Sequence, residues 1–221
     1  MNKKDTGLNA INLNSLIDFT LLDPRATITD IEKLCDIAYK NQYYSVCINP
    51  SNVPFAYGYI LKNFDSSIKI VAVVGFPLGA NSMSTKIQEV KQAIGEGADE
   101  IDVVINIGRA KNLDYEYVKH ELKLIKKIAK KHIVKAIIET CYFDENEIIK
   151  LCKVCISSGV DFVMTSTGFG TSGANDDIVN ILVNETKGKC MVKATGGITT
   201  RDQAVHYVNM GVKRIGTSCV L

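Results

Sequence analysis

The feature that most constrains this chain is an alternation, repeated eight times, of a short and nearly all-apolar run with a longer amphipathic stretch. The apolar runs fall at 17–22, 45–48, 70–74, 100–105, 134–138, 162–164, 191–193 and 214–216. Between them, helical periodicity marks 29–41, 51–62, 84–96, 114–131, 146–158, 175–187 and 200–210, and a last helix is expected to begin at Thr217. Shared among eight units, the length gives about 25–30 residues each, the repeat of a barrel built from strand and helix pairs.

A run such as Ile70-Val71-Ala72-Val73-Val74 carries no polar alternation, so it reads as a strand covered on both faces, as parallel strands are. Strict alternation of strand and helix then calls for parallel strands with right-handed crossovers. The expected fold is α/β: a single-domain (β/α)8 TIM barrel over residues 1–221, with 1–14 as an N-terminal extension or short helix ahead of strand one. The rival is an open doubly wound sheet, but no G-x-G-x-x-G follows the first run. Clusters of Gly and hydroxyl residues instead follow runs six, seven and eight, where barrels commonly hold phosphate. Thr29 or Asp30 is the expected N-cap of the first helix, with Ile31, Leu34, Cys35 and Ala38 as its buried stripe.

Charge excludes some functions. With 26 basic and 24 acidic residues the net charge is only +2, and the one dense basic run, 119–135, is interleaved with Leu122, Leu124, Ile125 and Ile128 at helical spacing. That spacing describes a solvated helix face, not a nucleic-acid surface. No apolar run is long enough to span a membrane. Seven cysteines and no apolar leader-like segment in MNKKDTGLNA lead to the expectation of a cytoplasmic setting with free thiols. Cys152 and Cys155 have no second pair and fit a buried helix stripe. His120, His132 and His206 are scattered over what read as polar helix faces, so neither a metal site nor a His-based triad is expected.

Three charges interrupt apolar strands, and each is costly to bury unless paired or used. Asp102 lies within EIDVV, Lys193 ends MVK, and Asp18 lies in LIDFTLL with Thr20 two residues on and therefore on the same face. Asp102 reads either as an ion pair filling the barrel or as an acid-base group, and Lys193 either as a surface lysine or as an active-site ammonium. Two carboxylates and an ammonium converging at one barrel mouth favour acid-base chemistry. After strand six, Thr165-Ser166-Thr167-Gly168 offers hydroxyls and unobstructed amides suited to an anion. Immediately before it, where the strand meets the pocket, stands an apolar Met164.

The segments IDFTLLDP (17–24), VCINP (46–50), VVGFPLGA (73–80), EIDVVINIG (100–108), IIETCY (137–142), DFVMTSTGFG (161–170), VKATGGI (192–198) and RIGTSC (214–219) occur in the order of the signature segments of deoxyribose-phosphate aldolase. The chain resembles that family from about residue 15 onward. The resemblance implies a class I aldolase that reversibly cleaves 2-deoxy-D-ribose 5-phosphate to acetaldehyde and D-glyceraldehyde 3-phosphate, with no cofactor. A strand-six lysine forms a Schiff base there, whose protonated imine holds the electrons of the breaking carbon-carbon bond as an enamine.

By the same resemblance, Lys193 matches a second lysine that lowers the nucleophile's pKa and joins proton transfer, and Asp102 matches its proton-shuttling aspartate. Gly168, Gly196, Gly197, Gly216 and Ser218 match donors around the phosphate, and Asp18, Thr20, Cys47, Thr165 and Thr167 fall to the substrate side of the pocket. Cys47 reads equally as a buried structural thiol. Relatives are often dimers, so a homodimer is possible.

The departure is Met164, which stands where the family pattern DFVKTSTGF carries the imine-forming lysine. Methionine matches lysine in length and flexibility but has no nitrogen. The expectation is a catalytically impaired aldolase; the alternatives are a non-catalytic sugar-phosphate binding or regulatory protein on the same barrel, or residual catalysis through Lys193. Phe19 and Asp23 also stand where many relatives carry His and Lys, and Cys219 replaces a frequent Ser whose backbone amide would still serve the phosphate.

Overall fold

In the computed structural model, residues 12–65 and 68–221 are described. Eight parallel strands close into a barrel in sequence order: β1 (Ile17–Leu21), β2 (Ser45–Ile48), β3 (Lys69–Val74), β4 (Glu100–Val104), β5 (Ile133–Ile137), β6 (Phe162–Met164), β7 (Met191–Thr195) and β8 (Arg214–Thr217). Closure runs through β1 and β8, where Asp18 is aligned with Gly216. The outer layer is α1 (Ile28–Lys40), α2 (Val53–Asn63), α3 (Met83–Gly95), α4 (Ile107–Lys111), α5 (Tyr115–Ala129), α6 (Glu145–Ser158), α7 (Asp176–Thr186) and α8 (Arg201–Asn209). The fold is therefore a (β/α)8 TIM barrel.

Two details differ from the sequence expectation. Residues 218–221 form no helix after β8, since one turn's worth of chain is too short to nucleate one. The N-cap of α1 is Thr27, not Thr29 or Asp30: its hydroxyl accepts from the Asp30 amide while the Asp30 carboxylate accepts from the Thr27 amide. The same reciprocal cap starts α6 at Asp144 and α8 at Thr200, so local chemistry fixes where the chain leaves the strand tops. A single 3-10 turn, Leu13–Leu16, precedes β1; the remainder of the expected extension, 1–11, lies outside the described residues.

The main apolar core lies between strands and helices, where residues such as Val46, Ile101, Val163 and Ala194 meet Leu34, Val90, Leu122 and Leu182. Alternate strand residues point into the barrel instead. There the filling divides: an apolar plug of Val104, Ile137 and Met164, a second of Cys47, Val71 and Val73, and a fully buried charged layer. All seven cysteines are free thiols, five of them buried. Among the described residues, no helix is long and apolar enough to cross a membrane.

Candidate active site

The interior is organised by six charges. Asp18, Glu100 and Asp102 face Lys135, Lys193 and Arg214, and all six are buried. Lys193 Nζ lies 2.5 Å from Asp18 Oδ2 and 2.6 Å from Asp102 Oδ2. Lys135 Nζ bridges Asp102 Oδ1 at 2.8 Å and Glu100 Oε2 at 2.5 Å. Arg214 Nη1 reaches Asp18 Oδ1 at 2.8 Å and Glu100 Oε2 at 3.2 Å, with its guanidinium 3.6 Å from the centre of the Tyr44 ring. The Ser45 hydroxyl donates to Asp18 Oδ1 at 2.6 Å, and the Tyr44 hydroxyl donates to Glu100 Oε1 at 2.6 Å. Three anions against three cations leave the layer neutral, which is how it survives without water.

The resulting protonation states follow from competition. Burial favours neutral Asp18, but Lys193, Lys135 and Arg214 overcome it and hold the carboxyl far below the usual carboxylate range. Burial likewise opposes charge on Lys193, and Asp102 and Asp18 reverse that, so its pKa is raised and it stays an ammonium.

Above this layer opens a cavity of about 540 Å³ formed by the tops of β1, β6, β7 and β8. Of the sequence-expected residues, Thr20, Thr167, Gly168, Gly196, Gly197, Gly216 and Ser218 line it. Among the described residues, Arg25 is its only lining cation and Asp23 its only lining anion. These two pair with each other at 2.8 Å. The amides of Gly168, Gly197 and Ser218, three residues that line the cavity, have no acceptor among the described residues, and unpaired backbone donors of this kind suit an anion. The β7 turn can take this shape because Gly196 has φ +89 and lies against Gly173, where a Cβ on Gly196 would sit 2.8 Å from Gly173 Cα.

Gly216 joins cavity and charged layer. A Cβ there would stand 2.9 Å from Thr195 Oγ1 and 3.2 Å from Lys193 Cε, so the lysine stem runs directly beneath the cavity floor. Lys193 itself is 1% exposed.

Three expected substrate-side residues do not line the cavity. Asp18 is consumed by Lys193, Arg214 and Ser45 below it. Cys47 is buried with its Sγ 4.0 Å from Asp102 Oδ2, and burial pushes its thiol up to about 12. Thr165 donates its hydroxyl to the Thr195 carbonyl at 3.0 Å and accepts from the Thr195 amide at 3.1 Å, tying β6 to β7. The Cys219 amide, expected to serve the phosphate, donates to Thr217 Oγ1 at 3.0 Å. Asp18, Asp102 and Lys193 do converge, but in the barrel interior and not at its mouth.

Met164 is aligned with Lys193 on one side and Ile137 on the other. It is 5% exposed and packs with Val104 and Ile137 against Phe76 and Ile107.

A family model described as DeoC/LacD family aldolase matches residues 5–218. The chain belongs to that family. It is 46% identical to a deoxyribose-phosphate aldolase of Mycoplasma capricolum, over 94% of this chain and 92% of the relative. With a deoxyribose-phosphate aldolase of Thermococcus kodakarensis the identity is 45%, over 96% and 95%. A tetrameric deoxyribose phosphate aldolase structure from Aeropyrum pernix superposes with a TM-score of 0.86 at 34% identity, covering 93% of this chain and 86% of that one.

Within this aldolase family frame, sequence reasoning missed half of the charged layer. Lys135 was counted into a solvated helix face, yet it lies on β5 and is fully buried. The signal was present, because VKAI interrupts an apolar strand with a charge as IDVV does. Glu100 and Arg214 begin their strands and carried no comparable signal, since strand-initial charges usually face water.

Proposed function

We propose that this protein binds 2-deoxy-D-ribose 5-phosphate as a deoxyribose-phosphate aldolase does, but is impaired in cleaving it to acetaldehyde and D-glyceraldehyde 3-phosphate, because Met164 replaces the imine-forming amine. The observation that carries this reading is the register of Met164 beside Lys193, whose stem lies under Gly216, a residue that lines the cavity. The phosphate would take the amides of Gly168, Gly197 and Ser218, which places the sugar chain toward the Lys193 side of the floor.

In a working enzyme of this class, a neutral amine at position 164 attacks the carbonyl, carbinolamine loses water, and the resulting imine draws the electrons of the adjacent carbon-carbon bond into an enamine. Lys193, 2.6 Å from Asp102, holds the positive charge that would keep a neighbouring amine neutral, and Asp102 fixes it there. Lys193 is a poor substitute nucleophile. It is kept protonated by Asp18 and Asp102 and sealed beneath Gly216, so it offers neither a lone pair nor an approach path.

The test is incubation with 2-deoxy-D-ribose 5-phosphate and borohydride, followed by intact mass measurement. No reduced adduct is expected, while calorimetry should still register binding. An adduct on any lysine would sink the claim that imine chemistry is closed, and absence of binding would sink the substrate assignment. The regulatory alternative shares the binding but not the latent chemistry, so a folded Met164→Lys variant without cleavage activity would favour it.

A further inference from the structure

Beside the anion-facing loop stands an acid that the aldolase chemistry leaves unused. Glu139 follows β5, is buried, and adopts φ +48, a left-handed backbone that a residue with a side chain takes up only at a cost of about 1 kcal/mol or more. Its two carboxylate oxygens both accept from the Thr167 amide, at 3.3 and 3.2 Å, and Oε2 also accepts from the Thr167 hydroxyl. The Thr167 oxygen in turn accepts from the Phe169 amide at 3.0 Å. Cys141 Sγ completes the set at 3.8 Å from Oε1.

A carboxylate next to a site for a phosphate opposes that ligand electrostatically, so its presence calls for a compensating role. The geometry supplies one. With the Thr167 and Phe169 amides both tied on the Glu139 side, the intervening Gly168 amide is the one left without an acceptor, and Gly168 lines the cavity. We infer that Glu139 is a positioning residue for the anion site: it acts through Thr167 to orient the Gly168 peptide toward the phosphate. The inference rests on the sugar-phosphate reading above.

Both carboxylate oxygens are used as acceptors, and three groups donate to them: the Thr167 amide, the Thr167 hydroxyl and the Cys141 thiol. Glu139→Gln puts an amide nitrogen against one of them, so one contact breaks and the loop peptide is free to turn. Gly170 gives an independent handle, since a Cβ there would meet Cys141 Sγ at 2.6 Å and Glu139 Oε1 at 3.1 Å and displace the carboxylate without removing it.

The experiment is calorimetry of the full chain with 2-deoxy-D-ribose 5-phosphate, alongside thermal melts. Losing one amide donor to a charged ligand should weaken binding about 10- to 100-fold in Glu139→Gln. Thr167→Val should match it, and the double variant Glu139→Gln/Thr167→Val should be no weaker than either single one. Additive losses, or wild-type affinity in Glu139→Gln, overturn the inference while leaving the sugar-phosphate reading intact. Failure of the wild-type chain to bind overturns both. If Glu139→Gln does not fold, Gly170→Ala and Thr167→Val carry the test, and unchanged affinity in both overturns it.

Discussion

Met164→Lys introduces an amine whose ionisation the surroundings should control. The position is 5% exposed among Val104, Ile137, Phe76 and Ile107, and its strand neighbour is the charged Lys193. The nearby carboxylates are already matched, as Asp18, Glu100 and Asp102 share Lys135, Lys193 and Arg214. Desolvation and like charge therefore act in the same direction, both lowering the new pKa. From a free-lysine value near ~10.4, a drop of about 3 places it near ~7.4. At about 1.36 kcal/mol per unit, the ammonium form should make the variant ~4 kcal/mol less stable than its neutral form does.

The sign follows from proton counting. Between ~7.4 and ~10.4 the unfolded chain binds the proton and the folded chain does not, so the variant's stability rises with pH relative to wild type across that window. Below it the deficit is full and constant. Urea denaturation of both chains between about pH 6 and pH 10.5 reads this directly, and borohydride trapping with 2-deoxy-D-ribose 5-phosphate should increase with the same inflection as neutral amine accumulates. A stability difference that stays flat through the window, or trapping that begins only near the free-lysine value, would refute the reasoning by showing the amine exposed and unperturbed.

Lys193→Met should cost about 3–5 kcal/mol at neutral pH, because it leaves three buried carboxylates against two cations and takes one partner each from Asp18 and Asp102. The gap from wild type should narrow in strong acid, since the contribution of Asp18 is lost only as pH falls below the unfolded carboxylate value of about 3.9 toward its lowered folded one; guanidinium titrations at about pH 7 and about pH 2.5 compare the two. Gly216→Ala drives a methyl to 2.9 Å from Thr195 Oγ1 and 3.2 Å from Lys193 Cε. It should destabilise by about 1–3 kcal/mol and weaken sugar-phosphate binding, both measurable by calorimetry. Arg25→Ala should loosen the sugar phosphate by about threefold and flatten the salt dependence of binding, whereas Asp23→Ala should tighten it by freeing the guanidinium from its 2.8 Å partner. Equal affinities in the two variants would remove Arg25 from the site.

The charges that proved interpretable in the sequence were those breaking an apolar run. Asp102 and Asp18 sit between residues that must be core, so their inward direction followed from strand alternation, and Lys193 was readable from the glycine turn behind it. Lys135 has the same local signature and falls inside the expected strand 134–138, but it also closes the basic run 119–135, so its charge is read with the helix face before it. Glu139 carried no signal, because its role depends on a left-handed backbone and on a loop 28 residues away. Thr165 is expected in the pocket, and Cys47 either there or as a buried structural thiol; Thr165 bonds to Thr195 and Cys47 is buried, placements that depend on contacts no single segment shows.

The sequence alone determined the barrel and its strand order, since those rest on periodicity, which each segment carries independently of the others, whereas the reading of Met164 rests on the resemblance of DFVMTSTGFG to a family segment. Tertiary structure decided the rest. Charge neutrality in the barrel interior is a property of six residues from five strands, and only closure of β8 onto β1 brings Arg214 and Lys193 to the two oxygens of Asp18. Protonation there is set by that shared field and not by any residue's own pKa, which is why Lys193 is held as an ammonium while an amine one strand away should be held neutral.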